Sequence, residues 1–335
     1  MPNRVRIGVD VGGTFTDLVL ADEDEGLVFT DKLLTTPDDP GRAIVEGLKR
    51  LLSQSGRAPD IVHSVVHGTT LVTNTIIEQT GATVGLITTR GFRDALEMGR
   101  EIRYDLYDLF LEATPTLVPR HRRLGVPGRF APDGEELEPF DADRFRAAVS
   151  ELLESGIDAL AVSFVHSYRH HAHEQRAGDI LREEFPELPF TLSHRVAPEI
   201  REFERTSTAC ANAYVQPMMR GYLGRFEQSL SEIGFRARLY VMLSGGGIAT
   251  LEQAVIEPIQ LIESGPAAGA MVASHYGRLL GKTDLISFDM GGTTAKMCLI
   301  EGGRPEPLAK RRTRPASNSR VRTTAKMCLI EGGRA

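Results

Sequence analysis

One loop occurs twice in this chain, as Asp10-Val11-Gly12-Gly13-Thr14 and as Asp289-Met290-Gly291-Gly292-Thr293. Its flanks match as well. An apolar run, residues 5–9 or 285–288, precedes each copy, and a β-prone run, residues 15–20 or 297–300, follows. Strand, D-x-G-G-T turn and strand describe a β-hairpin whose glycines let the backbone bend and approach a ligand closely. Tight turns with free N–H groups make anion-binding concavities, and a neighbouring carboxylate can hold a cation. One copy alone reads equally well as a good turn, since Asp and Gly favour turns. Two copies with matched flanks point to a phosphate clamp, with the loops gripping a nucleotide and its Mg²⁺ from both sides. A dinucleotide fingerprint is a different object, because it needs G-x-G-x-x-G opening a helix.

The 335 residues suffice for two domains with proper cores. A hydrophobic content of 41% and a charged content of 25% are those of an ordinary globular protein. The net charge of −6 argues against nucleic acid or an anionic membrane as the main partner. No stretch has the length of a membrane span, and the N-terminus enters a strand without a signal-peptide pattern. Cys210, Cys298 and Cys328 have neither metal-ligand nor C-x-x-C spacing, so a reduced, cytoplasmic setting is expected.

Periodicity predicts strands over 4–11, 15–21 and 27–34, then a helix from Pro40 to about residue 54. A strand over 61–67, a helix over 69–79 and a strand over 83–88 follow. Regular patterning is lost over 104–139, which reads as a long inserted loop. Helices are expected over 141–156, 170–185, 199–233 (with a kink at Pro217) and 264–280, and strands over 157–166, 190–193 and 239–243. The run Tyr168-Arg169-His170-His171-Ala172-His173 invites a metal reading. Without a paired carboxylate cluster it reads as a solvated surface instead.

Residues 323–334 repeat residues 293–304 letter for letter. Structural repeats diverge, so this identity points to duplication at the level of sequence. The second copy follows Ser319-Arg320-Val321-Arg322 and cannot form a third loop. Residues 305–335 are expected to be a disordered, aberrant tail in which 323–330 could pair as an edge strand.

With both loops placed, the chain resembles the hydantoinase/oxoprolinase family, in particular its ATP-handling, hydantoinase A-type subunit. The resemblance rests on Gly8 to Asp17 (GVDVGGTFTD), His67 to Asn74 (HGTTLVTN) and Thr88 to Asp94 (TTRGFRD) leading to Gly99-Arg100. It continues through Glu263 to Gly269 (ESGPAAG) and Phe288 to Thr294 (FDMGGTT), and covers roughly residues 4–304. It implies an α/β, actin-like ATPase fold built from ribonuclease-H-like domains with mixed β-sheets. The first would span 4–195 with 104–139 inserted, and 196–304 would begin a second, incomplete domain. Family chains are longer, so a C-terminally truncated fragment is expected, with weak nucleotide binding. The implied activity is ATP-driven opening of a cyclic amide or imide, or a related carbonyl activation, together with a second, hydantoinase B-type subunit.

An unactivated lactam is a poor electrophile, and phosphorylating its oxygen makes hydrolysis easy. The protein's work is then positioning and charge neutralisation. Asp10 and Asp289 are the candidates for holding Mg²⁺, or either could orient the attacking group. Gly12, Gly13, Thr14 and Thr16, with Gly291, Gly292, Thr293 and Thr294, would supply donors to the ATP phosphates. Asp17 belongs either to the site or to a structural hydrogen bond. His67, Thr69 and Thr70 stand where a strand meets a helix, suited to the transferring phosphate or the substrate carbonyl. Equally, Thr69 can be a helix cap and His67 a core histidine. Asn74, Arg93 and Arg100 are candidate substrate contacts, with interior hydrogen bonding and surface ion pairs as the alternatives. Competing functions are a non-catalytic remnant, a small-molecule kinase of the same fold and an acetone-carboxylase-type subunit.

Overall fold

A computed structural model describes residues 4–36, 40–101, 107, 110, 115–290, 295–306 and 328–330. They divide into two compact units, one formed by 1–77, 221–255 and 260–335, the other by 78–220 and 256–259. The first unit opens with β1 (Val5–Val11), β2 (Phe15–Asp22), β3 (Leu27–Leu34), α1 (Pro40–Ser55), β4 (Val62–Thr69) and α2 (Leu71–Ile77). The second supplies β5 (Val84–Thr89), α3 (Ala95–Met98), β6 (Arg123–Val126), β7 (Arg129–Phe130), β8 (Glu136–Glu138) and α4 (Ala142–Glu154). It continues with β9 (Ala159–Ser163), α5 (Ala172–Glu184), β10 (Phe190–Leu192), α6 (Ser193–Val196) and the first part of α7 (Glu202–Glu232), which contains Pro217. Next come β11 (Arg238–Met242), β12 (Ile248–Thr250), α8 (Leu251–Ile256) and α9 (Ser264–Leu279). The last strands are β13 (Leu285–Met290), β14 (Ala295–Glu301), β15 (Arg304–Glu306) and β16 (Cys328–Ile330).

The first unit is built on a six-stranded mixed sheet in the order β12-β11-β4-β1-β2-β3. β1, β2 and β3 form an antiparallel meander, while β4 lies parallel to β1 and β11 parallel to β4. Alternation on β1 buries Val5, Ile7, Val9 and Val11 on one face and leaves Arg6 and Asp10 on the other. The buried face packs against Ile44, Leu48 and Leu51 of α1 and Phe226 and Leu230 of α7. Gly47 lets α1 come down on β2, since a Cβ there would sit 2.5 Å from Leu18 Cδ1.

A smaller antiparallel sheet in the same unit has the order β13-β14-β15, with β16 pairing the other half of β14. Within the duplicated segment, for which an edge-strand pairing was open, Cys328 to Ile330 pair antiparallel with Ala295 to Met297. α9 packs on this sheet and also on β4 and β11. At Gly277 a Cβ would lie 2.5 Å from a Leu285 methyl, so glycine sets how closely α9 meets β13.

The second unit holds a parallel sheet, β10-β9-β5-β6. β5 and β9 are buried at every position, the continuous apolar pattern of strands covered on both faces. The region expected to be one long inserted loop, 104–139, contains β6, an integral strand of this sheet. Arg123 hides it from hydropathy: its guanidinium is fully buried, with Nε donating to Val118 O at 2.8 Å and Nη2 to Thr116 Oγ1 at 2.6 Å. Likewise His173 is not on a solvated surface. It is buried, hydrogen-bonded to Glu136 Oε1 at 2.8 Å and stacked on Phe130 at 4.2 Å. Among the described residues no three His, Cys, Asp or Glu side chains are grouped to hold a metal, and no helix is long and apolar enough to cross a membrane.

Candidate functional site

The first loop is a tight hairpin closed by Gly12 N–H donating to Phe15 O at 2.9 Å, which puts Gly13 and Thr14 at its exposed tip. Neither Gly12 nor Gly13 has a positive φ. Backbone freedom is therefore not what this turn asks of them. At Gly12 a Cβ would meet Phe15 O at 3.3 Å, whereas at Gly13 the nearest atom, Asn74 Nδ2, is 3.9 Å away. The open space over Gly13 is what a phosphate needs to reach the backbone. Thr35 buttresses the loop from beneath: its N–H donates to Thr14 O at 2.9 Å and its hydroxyl to Gly12 O at 2.9 Å. The Thr35 hydroxyl also contacts Thr16 Oγ1 at 3.0 Å, and Thr16 is fully buried. Thr16 thus supports the loop from inside rather than presenting its hydroxyl to a ligand.

Asp10 stands next to the end of β1, on the face away from the α1 core. In the parallel register it is the partner of Gly68 on β4. Its Oδ1 lies 3.0 Å from where a Cβ of Gly68 would be and 3.5 Å from where one of Gly265 would be. Two glycines from distant parts of the chain therefore flank one carboxylate.

β4 leaves this seat through Thr69 and Thr70. The Thr69 hydroxyl accepts from Leu71 N–H at 3.2 Å, a local cap, and the Thr70 hydroxyl donates to Val11 O at 3.3 Å. Thr70 O in turn accepts from Asn74 N–H at 2.9 Å, which sets Asn74 beside Gly13. The segment leading into α9 is tied to the same place. Ser264 Oγ donates to Thr69 O at 3.2 Å, and Glu263 N–H to Thr73 Oγ1 at 3.1 Å. Glu263 is left-handed at φ 59°, a conformation that costs a non-glycine residue about 1–3 kcal/mol and clusters at functional sites.

Asp10, Gly12, Gly13, Thr14, Thr69, Thr70 and Asn74 are thus one neighbourhood, and the other expected residues are not all in it. His67 is fully buried and, by the alternation of β4, faces away from Gly68 and Asp10. Its Nε2 pairs with the Tyr222 hydroxyl at 2.8 Å and its ring lies 5.0 Å from Phe226. Burial pushes its pKa down to about 4, against a smaller opposing effect of the Val9 backbone, so the ring is neutral at pH 7. Asp17 pairs with Lys32 at 2.7 Å. Arg93 is exposed, and Arg100 pairs with Glu204 at 2.6 Å; both belong to the second unit. Asp289 is exposed on β13, in the same unit as Asp10. Gly291, Gly292, Thr293 and Thr294 lie outside the described residues.

Residues 6–185 match the hydantoinase/oxoprolinase N-terminal region, and residues 205–331 match the hydantoinase/oxoprolinase family. The chain belongs to the hydantoinase/oxoprolinase family. It is 37% identical over 307 residues to caprolactamase subunit alpha of Pseudomonas jessenii, which covers 90% of this chain and 44% of that protein. The crystal structure of ATP-dependent caprolactamase from that organism superposes with a TM-score of 0.79 at 36% identity, covering 88% of this chain and 43% of the other. A nucleotide-free structure of acetone carboxylase superposes with a TM-score of 0.80 at 29% identity, covering 91% and 45%. The fold is accordingly the mixed α/β fold of the actin-like ATPases. The chain spans less than half the length of these relatives.

Sequence reasoning missed four members of this neighbourhood: Thr35, Gly68, Thr73 and Gly265. Gly68 and Gly265 were visible inside the HGTT and ESGP motifs, but only the fold shows that both abut Asp10. Mg²⁺ suits this donor set, because it commonly takes one or two carboxylates and completes its shell with phosphate oxygens and waters. The two glycines place no side chain of their own against the Asp10 carboxylate.

Proposed function

We propose that this chain carries the phosphate-binding part of an ATP-dependent enzyme that opens a cyclic amide of the 5-oxoproline or hydantoin type. The observation that carries the reading is Asp10 seated between Gly68 and Gly265, next to a hairpin tip that is open over Gly13. The lactam named in the caprolactamase relative supports the substrate class. In this reaction the γ-phosphoryl group passes to the amide oxygen, forming an O–P bond as the bond to ADP breaks. Water adds to the activated carbon, and the ring C–N bond breaks with its electron pair and a proton going to nitrogen. The acyl phosphate that remains is hydrolysed to carboxylate and phosphate.

Gly12, Gly13 and Thr14 would offer backbone and hydroxyl donors to the phosphates, with Gly291, Gly292, Thr293 and Thr294 as the opposing set. Asp10 would hold Mg²⁺, with Asp289 as the second carboxylate, and the ion would neutralise charge on the phosphates. Thr70 and Asn74 fix the substrate side of the loop. His67, neutral and buried, holds the end of β4 in place through Tyr222. Arg93 and Arg100 remain candidates for a carboxylate-bearing substrate. A second, hydantoinase B-type subunit completes the enzyme, in line with the "subunit alpha" of the caprolactamase relative.

A second reading, ATP-dependent carboxylation of a ketone, is supported by the superposition on acetone carboxylase. The two separate in one assay. The complete enzyme with ATP is offered 5-oxoproline, hydantoin and caprolactam in one set, and a ketone with bicarbonate in another. Lactam-stimulated ADP release that Asp10→Asn abolishes, with an unchanged melting temperature, is the expected result. Stimulation by ketone and bicarbonate alone would favour the second reading.

A further inference from the structure

A polyanion bound at the first loop needs counter-charge, yet the sheet face beside that loop is acidic. Asp10 on β1 and Asp17 on β2 are direct partners in the antiparallel register, so their carboxylates stand side by side on one face. Like charges directly opposite one another are destabilising, and they repel phosphates as well. Among the described residues of β1, β2, β3, β4 and α2, the arginines and lysines are Arg6 and Lys32. Arg6 pairs with Glu23 and faces Ala21 across β1 and β2, at the end of β1 remote from the loop. Lys32 stands at the loop end.

Lys32 is the register partner of Asp17 across β2 and β3, which makes Asp10, Asp17 and Lys32 one row over three strands. Its ammonium donates to Asp17 Oδ1 at 2.7 Å and to Oδ2 at 2.9 Å. It also lies 4.7 Å from the centre of the Phe15 ring, and Phe15 is two residues nearer the loop than Asp17. The side chain therefore leans along the sheet toward the loop. Phe15 is the residue whose carbonyl closes the hairpin, and β3 is tied to the same hairpin just beyond Lys32, through Thr35. An ammonium has three donors, and Asp17 takes two of them. The pair adds little to stability, because its side chains are 54% and 53% exposed and exposed ion pairs contribute little.

We propose that Lys32 is a phosphate-binding residue, with Asp17 and Phe15 as the positioning residues that aim its ammonium at the loop. The inference rests on the reading of this loop as the phosphate site. The third N–H of Lys32 donates to a phosphate oxygen of the nucleotide, the point-charge role that lysine has in other phosphate sites. Asp17 stays paired throughout, which cancels its charge beside the phosphates. Its place opposite Asp10, costly by the pairing rule of sheets, is then explained by the lysine that it holds.

Calorimetric titration of the complete enzyme with a non-hydrolysable ATP analogue, and separately with adenosine, tests this. Lys32→Met should weaken binding of the analogue about tenfold, the scale of one lost charge-assisted hydrogen bond. Adenosine affinity and melting temperature should stay at wild-type values. Lys32→Arg keeps the charge and should recover most of the affinity. Added salt should weaken the analogue more in wild type than in Lys32→Met, since an exposed charge is screened. Unchanged affinity for the analogue in Lys32→Met, an equal loss for adenosine, or a loss that comes with a lower melting temperature and is not recovered by Lys32→Arg would overturn the proposal. Gly13→Ala separates this inference from the reading beneath it. Weakened binding in Gly13→Ala with wild-type binding in Lys32→Met strikes out Lys32 and leaves the loop in place. Wild-type binding in both removes the loop as a phosphate site, and Lys32 with it.

Discussion

Asp10 and Gly68 are in contact closer than most side chains at position 68 would make: Asp10 Oδ1 lies 3.0 Å from the place of the missing Cβ. At Gly265 the same oxygen is 3.5 Å away, an ordinary contact. Gly68→Ala should therefore displace the carboxylate while Gly265→Ala leaves it in place. In the complete enzyme, ATP turnover of Gly68→Ala should fall roughly tenfold, since a shift of a few tenths of an ångström is a fraction of the 1 Å misplacement that costs about 100-fold. Gly265→Ala should stay close to wild type, and both should melt within a few degrees of it. Steady-state ATPase and melting curves decide the matter. Equal effects of the two substitutions would show that the glycines do not act through Asp10.

His67 makes stability depend on pH in one direction. Burial lowers its pKa from 6.5 to about 4, so the unfolded chain binds this proton more readily than the folded one. The stability that the neutral ring contributes is complete above about pH 6.5 and is lost as the pH falls from there toward 4. The loss is on the order of 3 kcal/mol over that window. His67→Gln should lower stability at pH 7 but flatten the acid limb between these values. Denaturant titrations of both proteins from pH 7.5 to 4 measure the slopes, and parallel limbs would show that another group governs acid unfolding.

Much of this could be read from the chain itself. The repeated loop, its flanking strands and the run from β1 to α1 follow from alternation, turn residues and helical spacing, which are local signals. Faces and long-range pairings were less accessible. Ending the strand at His67 rather than Thr69 hid the alternation that turns His67 away from Gly68. β6 was lost because Arg123 breaks the apolar run of a buried strand, and its partners at Thr116 and Val118 only appear once the chain has folded back. Gly68 and Gly265 converge on Asp10 through strand pairing and the approach of α9, which no local pattern encodes.

The first loop separates a role in folding from a role in binding. A methyl group at Gly13 has room, with Asn74 Nδ2 3.9 Å away and no positive φ to strain. A methyl group at Gly12 presses on Phe15 O at 3.3 Å. Gly13→Ala should melt with wild type yet raise KM for Mg-ATP about tenfold, a loss of roughly 1.4 kcal/mol in binding. Gly12→Ala should also lose stability, by about 1 kcal/mol, the common size of a local packing conflict. An unchanged KM in Gly13→Ala would remove the phosphates from this hairpin.

Thr35 should prove the support on which that loop depends. Its hydroxyl donates to Gly12 O at 2.9 Å and meets the buried Thr16 hydroxyl at 3.0 Å. Thr35→Val keeps the shape and removes the oxygen, leaving both partners short of one bond. Stranding a buried polar group costs about 1–3 kcal/mol, so the variant should melt several degrees lower. Because the lost bond holds Gly12, KM for Mg-ATP should rise together with the loss of stability. Thr35→Ser restores the hydroxyl and should recover both. Recovery of the melting temperature without recovery of KM would mean that Thr35 supports the sheet alone, and that the loop holds its shape without it.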